Sequence, residues 1–256
     1  MRIKKVLFVA LLVGSVSLIY SCKGGKEVAN NVAETKNEEI KPEKVAVTNE
    51  SVDISDIEDG KTYQTIRYSV VKCDNNELIQ ASLNTLNEKI KKEAENFKSE
   101  NKNSVREFIK ENPDMAEAQY SYTSDIGFIR QDEKYLSFIE FVYTNTMGAH
   151  GMYYQNGYTY DVKSGKKLVL TDFVKDKEEL RTFLKNWLKE HSDEYGFFDE
   201  AEDTIDSYID GQYELQFYVN DDLIVMFQPY DIAPYAAGLI EVVVDKNLLK
   251  VDLGDI

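Results

Sequence analysis

Cysteine, histidine and proline are all scarce in this chain of 256 residues. Two cysteines are too few for a disulfide-stapled scaffold, and four prolines with 13 glycines exclude collagen-like and proline-rich architectures. The two histidines, His150 and His191, lie in different predicted elements with no cysteine nearby, so the spacing of a zinc site is absent. A G-x-S-x-G elbow, a Walker loop, a dinucleotide fingerprint and an H-E-x-x-H motif are also missing from the sequence. We therefore expect no catalytic residue, no metal site and no cofactor.

Basic residues are outnumbered, with 30 Lys and Arg against 46 Asp and Glu, and the formal net charge is −16. This balance excludes nucleic acid as a partner, because its phosphate backbone is bound through Lys and Arg. Hydrophobic residues make up 43% of the chain and aromatic residues 12%, which is enough for a folded core. Because so many carboxylates guarantee close pairs in space, an envelope hydrolase that uses acidic residues stays open as an alternative.

The N-terminus has the pattern of a secretory signal. Three basic residues among the first five precede an apolar run from Val6 to Tyr20. That run has about 15 residues, fewer than the ~20 of a membrane-spanning helix, and its form is that of a signal peptide.

The end of this segment, with Ile19, Ser21 and Cys22, resembles the bacterial lipobox, in which the signal is cut before the cysteine and the cysteine is acylated. We therefore predict removal of residues 1–21 and lipidation of Cys22, whose acyl chains would hold the protein to a membrane. An ordinary signal peptide and an uncleaved anchor are the alternatives. Lys23 replaces the Asp that keeps some Gram-negative lipoproteins at the inner membrane, so we expect an outer-membrane or cell-surface location.

The exported part of the chain divides into a tether and two domains. Residues 22–59 contain no aromatic residue and no stable apolar period, and we predict a disordered tether there. The dipeptide Asp59-Gly60 marks a turn. We place an N-terminal domain at residues 60–151 and a C-terminal domain at 152–256.

The N-terminal domain combines strand and helix patterns. Its predicted elements are a strand over 63–72, a helix over 79–97, a further helical stretch after a polar break at 99–103 that Pro113 closes, and a hairpin over 119–130 and 135–146. Cys73, at the end of the first strand, is interpreted as a small buried hydrophobe, with an intermolecular disulfide or a redox role as the alternative.

The C-terminal domain repeats the same pattern. Its predicted elements are strands over 152–162 and 167–170, helices over 176–191 and 199–209, and closing strands over 213–219, 222–228 and 238–244. Asn156-Gly157 is a hairpin signal inside the first of these strands, and a bulged single strand is the competing interpretation. The order of elements predicts an α+β fold with two small domains, each a mostly antiparallel sheet with packed helices.

Several short motifs resemble the paired extracellular domains of RsiV-type proteins. The similar blocks are Gly148-Ala149-His150-Gly151, Tyr160-Asp161, Gly165-Lys166, Leu168, Leu170-Thr171-Asp172-Phe173 and the long block Tyr230-Asp231-Ile232-Ala233-Pro234-Tyr235-Ala236-Ala237-Gly238. The resemblance spans roughly residue 60 to the C-terminus, and it favours the bulged strand over the hairpin. In that family the two domains form the lysozyme-binding ectodomain of an anti-sigma factor, and they also stand beside a polysaccharide deacetylase domain in the peptidoglycan deacetylase PdaC. Neither a sigma-binding segment nor a deacetylase domain is present in this sequence, so signalling and deacetylation are not carried over.

With signalling and deacetylation set aside, the function that the resemblance still implies is ligand recognition. The loop 229–237 carries Tyr and Pro residues that suit a rigid contact, and an acidic protein gains association rate with a cationic ligand such as lysozyme. The predicted ligand-binding residues are Tyr230, Ile232, Pro234, Tyr235 and His150. The alternative is structural: the two tyrosines pack a domain corner, Pro234 fixes the turn, and His150 belongs to a turn between glycines.

The predicted function is therefore that of a non-catalytic cell-envelope lipoprotein that binds a protein or glycan ligand, with lysozyme or a cell-wall component as the candidates. A structural or assembly lipoprotein, whose partner is another envelope protein, is a third possibility beside the hydrolase.

Overall fold

The computed structural model describes residues 44–115 and 119–254. The predicted signal peptide, the lipidation site Cys22 and the first part of the predicted tether lie outside the described residues.

Two sheets and their helices form the protein. The first sheet contains β1 (Val47–Asp53), β2 (Asp56–Glu58), β3 (Lys61–Cys73), β4 (Tyr120–Gln131), β5 (Tyr135–Asn145) and β6 (Met152–Asp161), and the second contains β7 (Gln216–Val219), β8 (Leu223–Phe227) and β9 (Ile240–Val243). The helices are α1 (Glu77–Glu111), α2 (Leu170–Phe173), α3 (Lys177–Glu190), α4 (Ser192–Tyr195) and α5 (Ala201–Ile209), with short 3-10 turns at Pro113–Met115, Tyr235–Ala237 and Lys246–Leu248. The predicted α+β class, with two domains of mostly antiparallel sheet and packed helices, is confirmed.

The first sheet has the order β1-β3-β4-β5-β6, and β2 also pairs with β3. The strands β3 and β4 are parallel because α1 carries the chain back between them, as a crossover must. The predicted hairpin of β4 and β5 is confirmed.

Two strands lie earlier in the chain than the sequence predicts. The strands β1 and β2 lie inside the segment 22–59 that we expected to be a tether, and both pair with β3. Their side chains are mostly polar and exposed, so hydrophobic patterning cannot reveal them, and their order comes from backbone pairing with β3. The expected turn is present, since Asp59 and Gly60 take φ values of 50° and 76°, as a type I′ hairpin turn requires.

One continuous helix, α1, replaces the two predicted helical stretches. The predicted break at 99–103 is wrong because the polar side chains there stay compatible with a helix: Asn101 Nδ2 donates to the Phe97 carbonyl at 2.9 Å. Asn76 caps the helix start, accepting from the backbone N–H groups of Leu78 and Ile79, and Pro113 follows the helix end as predicted. Although α1 has 35 residues, neither it nor another helix of the described residues is apolar enough to cross a membrane.

The strand β6 shows whether Asn156-Gly157 forms a hairpin or a bulged strand. Its register with β5 runs without a break from Asp161 opposite Tyr135 to Met152 opposite Thr144, so the segment is one strand with neither a hairpin nor a bulge. Because β6 belongs to the first sheet, the predicted domain boundary between residues 151 and 152 is wrong.

The second domain follows the predicted order of helices and closing strands, with one correction. The expected strand over 167–170 is reduced to a single bridge between Tyr160 and Lys167, after which the chain enters α2. Asp176 caps α3, and the apolar faces of α3 and α5 pack with the second sheet into one core.

The two sheets are in direct contact through β7. Alternation along β5 and β6 directs Leu136, Phe138 and Tyr158 to the core beneath α1, and the intervening Ser137 and Thr159 to the opposite face. On that opposite face the backbone N–H of Val219 donates to Ser137 Oγ at 2.9 Å, and both atoms are buried. Gly157 has no side chain where β7 passes, and a Cβ there would overlap the carbonyl oxygen of Phe217.

The outer edge of β6 is covered by glutamine side chains from the second domain. The side-chain amide of Gln228 both accepts from the Gln155 N–H at 2.8 Å and donates to the Gln155 carbonyl at 2.9 Å. Two residues further along β6, Gln216 Oε1 accepts from the Gly157 N–H at 3.0 Å. These side chains satisfy backbone groups that an unpaired edge strand would leave open.

Cys73 ends β3 as a free, buried thiol. Only 4% of the residue is exposed, and Sγ lies 3.6 Å from Asn75 Oδ1. The interpretation as a small buried hydrophobe agrees with this position.

Candidate functional site

The turn before β6 and the loop after β8 meet at the surface and bring three predicted site residues together. The His150 ring stacks on the Tyr235 ring with a centroid distance of 4.2 Å, and the Tyr230 ring lies 5.5 Å from that of Tyr235. The Tyr153 ring, on β6, meets Tyr235 edge-on at 5.7 Å. We call His150, Tyr153, Tyr230 and Tyr235 the aromatic cluster.

The hydrogen bonds of His150 assign its tautomer. Its Nδ1 lies 2.9 Å from the carbonyl oxygen of Gly151, and a carbonyl can only accept, so Nδ1 carries the proton. The Nε2 atom is then an acceptor for the Tyr230 hydroxyl at 3.4 Å. A Cβ at Gly151 would overlap the ring of Tyr143, so a larger residue there would have to displace that side chain.

A tight turn presents the Tyr230 ring to solvent. The Asp231 N–H donates to the Gln228 carbonyl at 3.0 Å, and Tyr230 has a φ of 73°, as the third residue of a type II turn does. Pro229 occupies the second position of that turn, which suits its fixed φ. Glycine or asparagine is usual where Tyr230 stands, so this exposed side chain is carried on strained backbone.

The carboxylate of Asp231 holds this turn in place. It accepts from the Gln228 N–H at 2.6 Å and from the Tyr208 hydroxyl at 2.6 Å. Burial raises the pKa of Asp231 from its ordinary value, while the hydrogen bond from Tyr208 opposes that shift. The turn is therefore tied to α5, which carries Tyr208.

The short 3-10 turn at Tyr235–Ala237 fixes the other half of the loop. The Tyr235 hydroxyl donates to the Gly151 carbonyl at 2.9 Å, which links the loop to the His150 turn. Pro234 is exposed just before Tyr235, so both remain accessible beside His150. Of the five predicted ligand-binding residues, the structure thus places these three and Tyr230 on one surface.

Ile232 is a correction to the predicted site. It is 0% exposed and belongs to the core of the second domain, and its carbonyl accepts from the Phe198 N–H at 2.9 Å. Its side chain anchors the loop in that core, between the exposed Tyr230 and the half-buried Tyr235. It cannot contact a ligand.

Two residues of β5 and β6 contribute to the site without having been predicted. Tyr153 contacts Tyr235, and Phe141 on β5 stacks behind Tyr153 with a centroid distance of 5.6 Å. Strand alternation could have placed both on the face opposite α1, but only knowledge of the contact between the sheets shows that this face meets the loop 229–237. Among the residues that the structure describes, no group of three or more His, Cys, Asp and Glu side chains could hold a metal ion.

Two family models match separate parts of the chain. Residues 57–153 match the family described as "Deacetylase PdaC", and residues 167–247 match the "Protein of unknown function (DUF3298)" family. The chain carries a PdaC domain followed by a DUF3298 domain. This is the pairing that the resemblance to RsiV-type proteins implies.

A solved structure shows a similar fold. A crystal structure of a DUF3298 family member from Bacteroides fragilis NCTC 9343 has a TM-score of 0.59 and 18% sequence identity, and the similarity covers 82% of this chain and 96% of that one. A DUF3298 family protein from Pseudomonas aeruginosa PAO1 has a TM-score of 0.49 and 17% identity over 83% of this chain and 97% of that one. No curated protein matches the sequence.

The aromatic cluster is built from both matched domains. His150 and Tyr153 lie at the end of the PdaC match, whereas Tyr230 and Tyr235 belong to the DUF3298 match. Most of β6 falls between the two matches. The site therefore exists only when the two domains are packed together.

Proposed function

We propose that this chain is a non-catalytic lipoprotein of the bacterial cell envelope that binds a ligand through the aromatic cluster. The observation that carries the proposal is the convergence of His150, Tyr230 and Tyr235 from distant parts of the sequence on one accessible surface. Aromatic side chains with a polar tip dominate recognition surfaces, because they supply large contact area at little entropic cost. The strained turn under Tyr230 supports the same function, since strain of this kind concentrates at binding sites.

A cationic protein is the ligand class that the charge favours. The chain carries a net charge of −16, which would attract a basic partner and raise its association rate. Lysozyme is the concrete candidate, because the RsiV-type proteins that this chain resembles bind it.

A cell-wall glycan is the second candidate, and the stacked rings favour it. The His150 and Tyr235 rings are nearly parallel, with an interplanar angle of 23°, and Tyr230 is 48% exposed beside them. Such a surface, with apolar ring faces and hydroxyl groups at its edge, suits a sugar ring.

Binding measurements with tyrosine variants test the proposal. Tyr235→Ala and Tyr230→Ala should each weaken lysozyme or glycan-oligomer binding at least about tenfold, the loss typical of an interface hot spot. Tyr213→Ala is the matched control, because Tyr213 is an exposed tyrosine of the second domain outside the cluster. If neither ligand class binds at low or moderate salt, or if the control variant behaves like the others, the cluster is not the site.

The membrane attachment is part of the proposal and has its own test. Lipidation at Cys22 predicts that the mature protein fractionates with membranes and gains the mass of acyl chains at that cysteine. Cys22→Ala should release it from the membrane, and surface labelling of intact cells would then distinguish a cell-surface location from the inner face of the outer membrane. If the parent protein is not acylated, the proposal that it is a lipoprotein is contradicted.

The absence of catalysis is also proposed. "Deacetylase PdaC" is the description of a matched family, and a hydrolase using acidic residues is the competing function. Prolonged incubation of purified protein with peptidoglycan, followed by mass analysis of the sugars and peptides, should show no change. Turnover that disappears on replacing one carboxylate would establish the enzyme instead, and crosslinking in intact cells to a single envelope protein would favour the assembly role.

A further inference from the structure

A small basic pocket lies between α1 and the end of β6, on the opposite face of the first sheet from the aromatic cluster. It has a volume of about 300 Å³ and is lined by Ser82, Thr85, Leu86, Lys89, Tyr158, Tyr160 and Lys167. Tyr158 lies five residues along β6 from Tyr153 of the aromatic cluster, which corresponds to about 16 Å at ~3.3 Å per residue. The pocket is therefore distinct from the aromatic cluster.

Two lysines converge on one tyrosine in this pocket. Lys89 Nζ lies 5.6 Å and Lys167 Nζ 5.2 Å from the centre of the Tyr158 ring. Both lysines are paired only loosely, with Glu93 at 3.7 Å from Lys89 and the exposed Glu214 at 3.4 Å from Lys167. Two ammonium groups therefore face one concavity in a chain whose net charge is −16.

The floor of the pocket is fixed by a buried network. Lys89 Nζ donates to the Tyr158 hydroxyl at 3.1 Å, and that hydroxyl donates to Glu140 Oε2 at 3.1 Å. Glu140 is fully buried and also accepts from Ser124 Oγ at 2.6 Å and Asn156 Nδ2 at 3.0 Å. Because every partner of Tyr158 is held in place, its ring and the ammonium beside it are oriented before a ligand arrives.

The walls are fixed as well. Lys167 is placed by its backbone bridge to Tyr160, and the turn before it packs on the start of α1. In that turn the Gly165 carbonyl accepts from Ser82 Oγ at 2.6 Å, and a Cβ at Gly165 would lie 2.6 Å from the Leu78 carbonyl oxygen. The distance between the two lysine-bearing walls is therefore set by close backbone contact.

We propose that this pocket binds a sugar-sized organic anion, whose carboxylate or phosphate group lies between Lys89 and Lys167. Charge-assisted hydrogen bonds from two ammonium groups recognise the oxyanion. The volume exceeds what a bare ion needs and falls at the lower end of the ~300–1,000 Å³ of small-molecule sites, while Leu86 and Tyr160 offer an apolar surface for the body of the ligand.

Matched sugars test the proposal by chemical-shift titration of the mature protein at low salt. Glucuronate and glucose 6-phosphate should perturb amides around Lys89 and Lys167, and whichever binds more tightly identifies carboxylate or phosphate as the preferred group. Uncharged glucose should bind at least about tenfold more weakly than the better of the two. If inorganic phosphate binds as tightly as either charged sugar, the site holds an adventitious ion only, and the absence of binding by both charged sugars also overturns the proposal.

Lysine variants separate the pocket from the rest of the surface. The double variant Lys89→Gln/Lys167→Gln should weaken binding of the charged sugar at least about tenfold, whereas Lys91→Gln/Lys110→Gln, with the same charge change at exposed positions of α1, should not. Equal losses of affinity in the two double variants would show that the effect comes from net charge alone and would contradict the proposed site. Lysozyme binding should be the same in both double variants, so failure of this proposal is distinguishable from failure of the aromatic cluster.

Discussion

Tyr230 adopts a backbone conformation that costs energy and that places its ring at the surface. Its φ of 73° costs a non-glycine residue about 1 kcal/mol, yet the turn is over-determined by Pro229 and by the buried carboxylate of Asp231. A glycine would suit this backbone better and would present no ring. A role of the ring at the surface would explain why this strain is retained.

Replacing Tyr230 by glycine should separate stability from binding. Relief of the strained φ and loss of the contact with Tyr235 act in opposite directions, so the free energy of unfolding should stay within about 1 kcal/mol of the parent value. Ligand binding should fall as it does in Tyr230→Ala. Urea denaturation and a titration on the same sample measure both quantities, and a loss of stability above 2 kcal/mol would show that the ring is mainly structural.

At the residue scale the sequence predicted the members of the aromatic cluster only in part. His150, Tyr230 and Tyr235 could be predicted because they stand in unusual motifs between turn-forming residues. Ile232 was wrongly assigned, because an irregular loop has no period that tells which side chain points inward. Tyr153 escaped notice because strand patterning shows a face, and cannot show what covers that face.

Among the elements, β2 is attached to α1 by an ion pair rather than by apolar packing. Arg106 donates to Asp56 Oδ2 at 2.8 Å and to Glu58 Oε2 at 2.8 Å. Hydrogen bonding by Arg106 lowers the pKa of Asp56 below its ordinary 3.8, against the opposing effect of burial. Because the folded-state pKa is depressed, this stabilisation is present above pH 3.8 and is lost as the pH falls through the folded value.

Asp56→Asn should therefore lower the free energy of unfolding by about 1–2 kcal/mol at neutral pH, and the difference from the parent should vanish in acid. Glu58→Gln is the matched control: it contacts the same guanidinium, but its side chain is 60% exposed, so the loss should stay below about 0.5 kcal/mol. Denaturant titrations between pH 2 and pH 7 measure both. A difference for Asp56→Asn that does not change with pH would contradict the ion-pair explanation.

The crossing of β6 and β7 gives a second prediction for the elements. Gly157→Ala places a methyl group against the Phe217 carbonyl, and we expect a loss of about 3 kcal/mol from forced separation of the strands. Gly127→Ala, in β4, is the control, since its Cβ would meet only Ile139 Cγ1 at an ordinary 3.5 Å. Thermal or urea unfolding of the two variants tests this prediction. Equal free energies of unfolding would mean that β7 can shift to accommodate the methyl group.

Elements with a strong period were predicted well, and those that depend on distant partners were not. The apolar stripe of α1 and that of α3 are local signals. The strands β1 and β2 are mostly polar, and their order depends on distant partners, namely pairing with β3 and, for β2, the ion pair with Arg106. The break expected at 99–103 failed because a polar stretch between two apolar stripes continues a helix at little cost.

For the molecule as a whole, the excess of negative charge means that salt should raise thermal stability and lower the association rate with lysozyme. A net charge of −16 opposes compaction by self-repulsion, and raising the ionic strength from 0.01 to 0.15 M shortens the screening length from ~30 to ~8 Å. The midpoint of thermal unfolding should therefore rise by about 2 °C or more. Over the same range the association rate with lysozyme should fall at least about tenfold. Calorimetry and stopped-flow mixing test the two effects, and a salt-independent association rate would exclude electrostatic steering.

The glutamine side chains that cover the edge of β6 decide whether the two domains can be separated. A strand of the first sheet whose free edge is closed by side chains from the second domain leaves neither half self-sufficient. A fragment ending at residue 165 would keep β6 with its backbone bare, and such a fragment should pair with copies of itself into soluble oligomers or precipitate. The two domains should therefore be produced as a single polypeptide, and a design that splits them has to replace the glutamine contacts along β6.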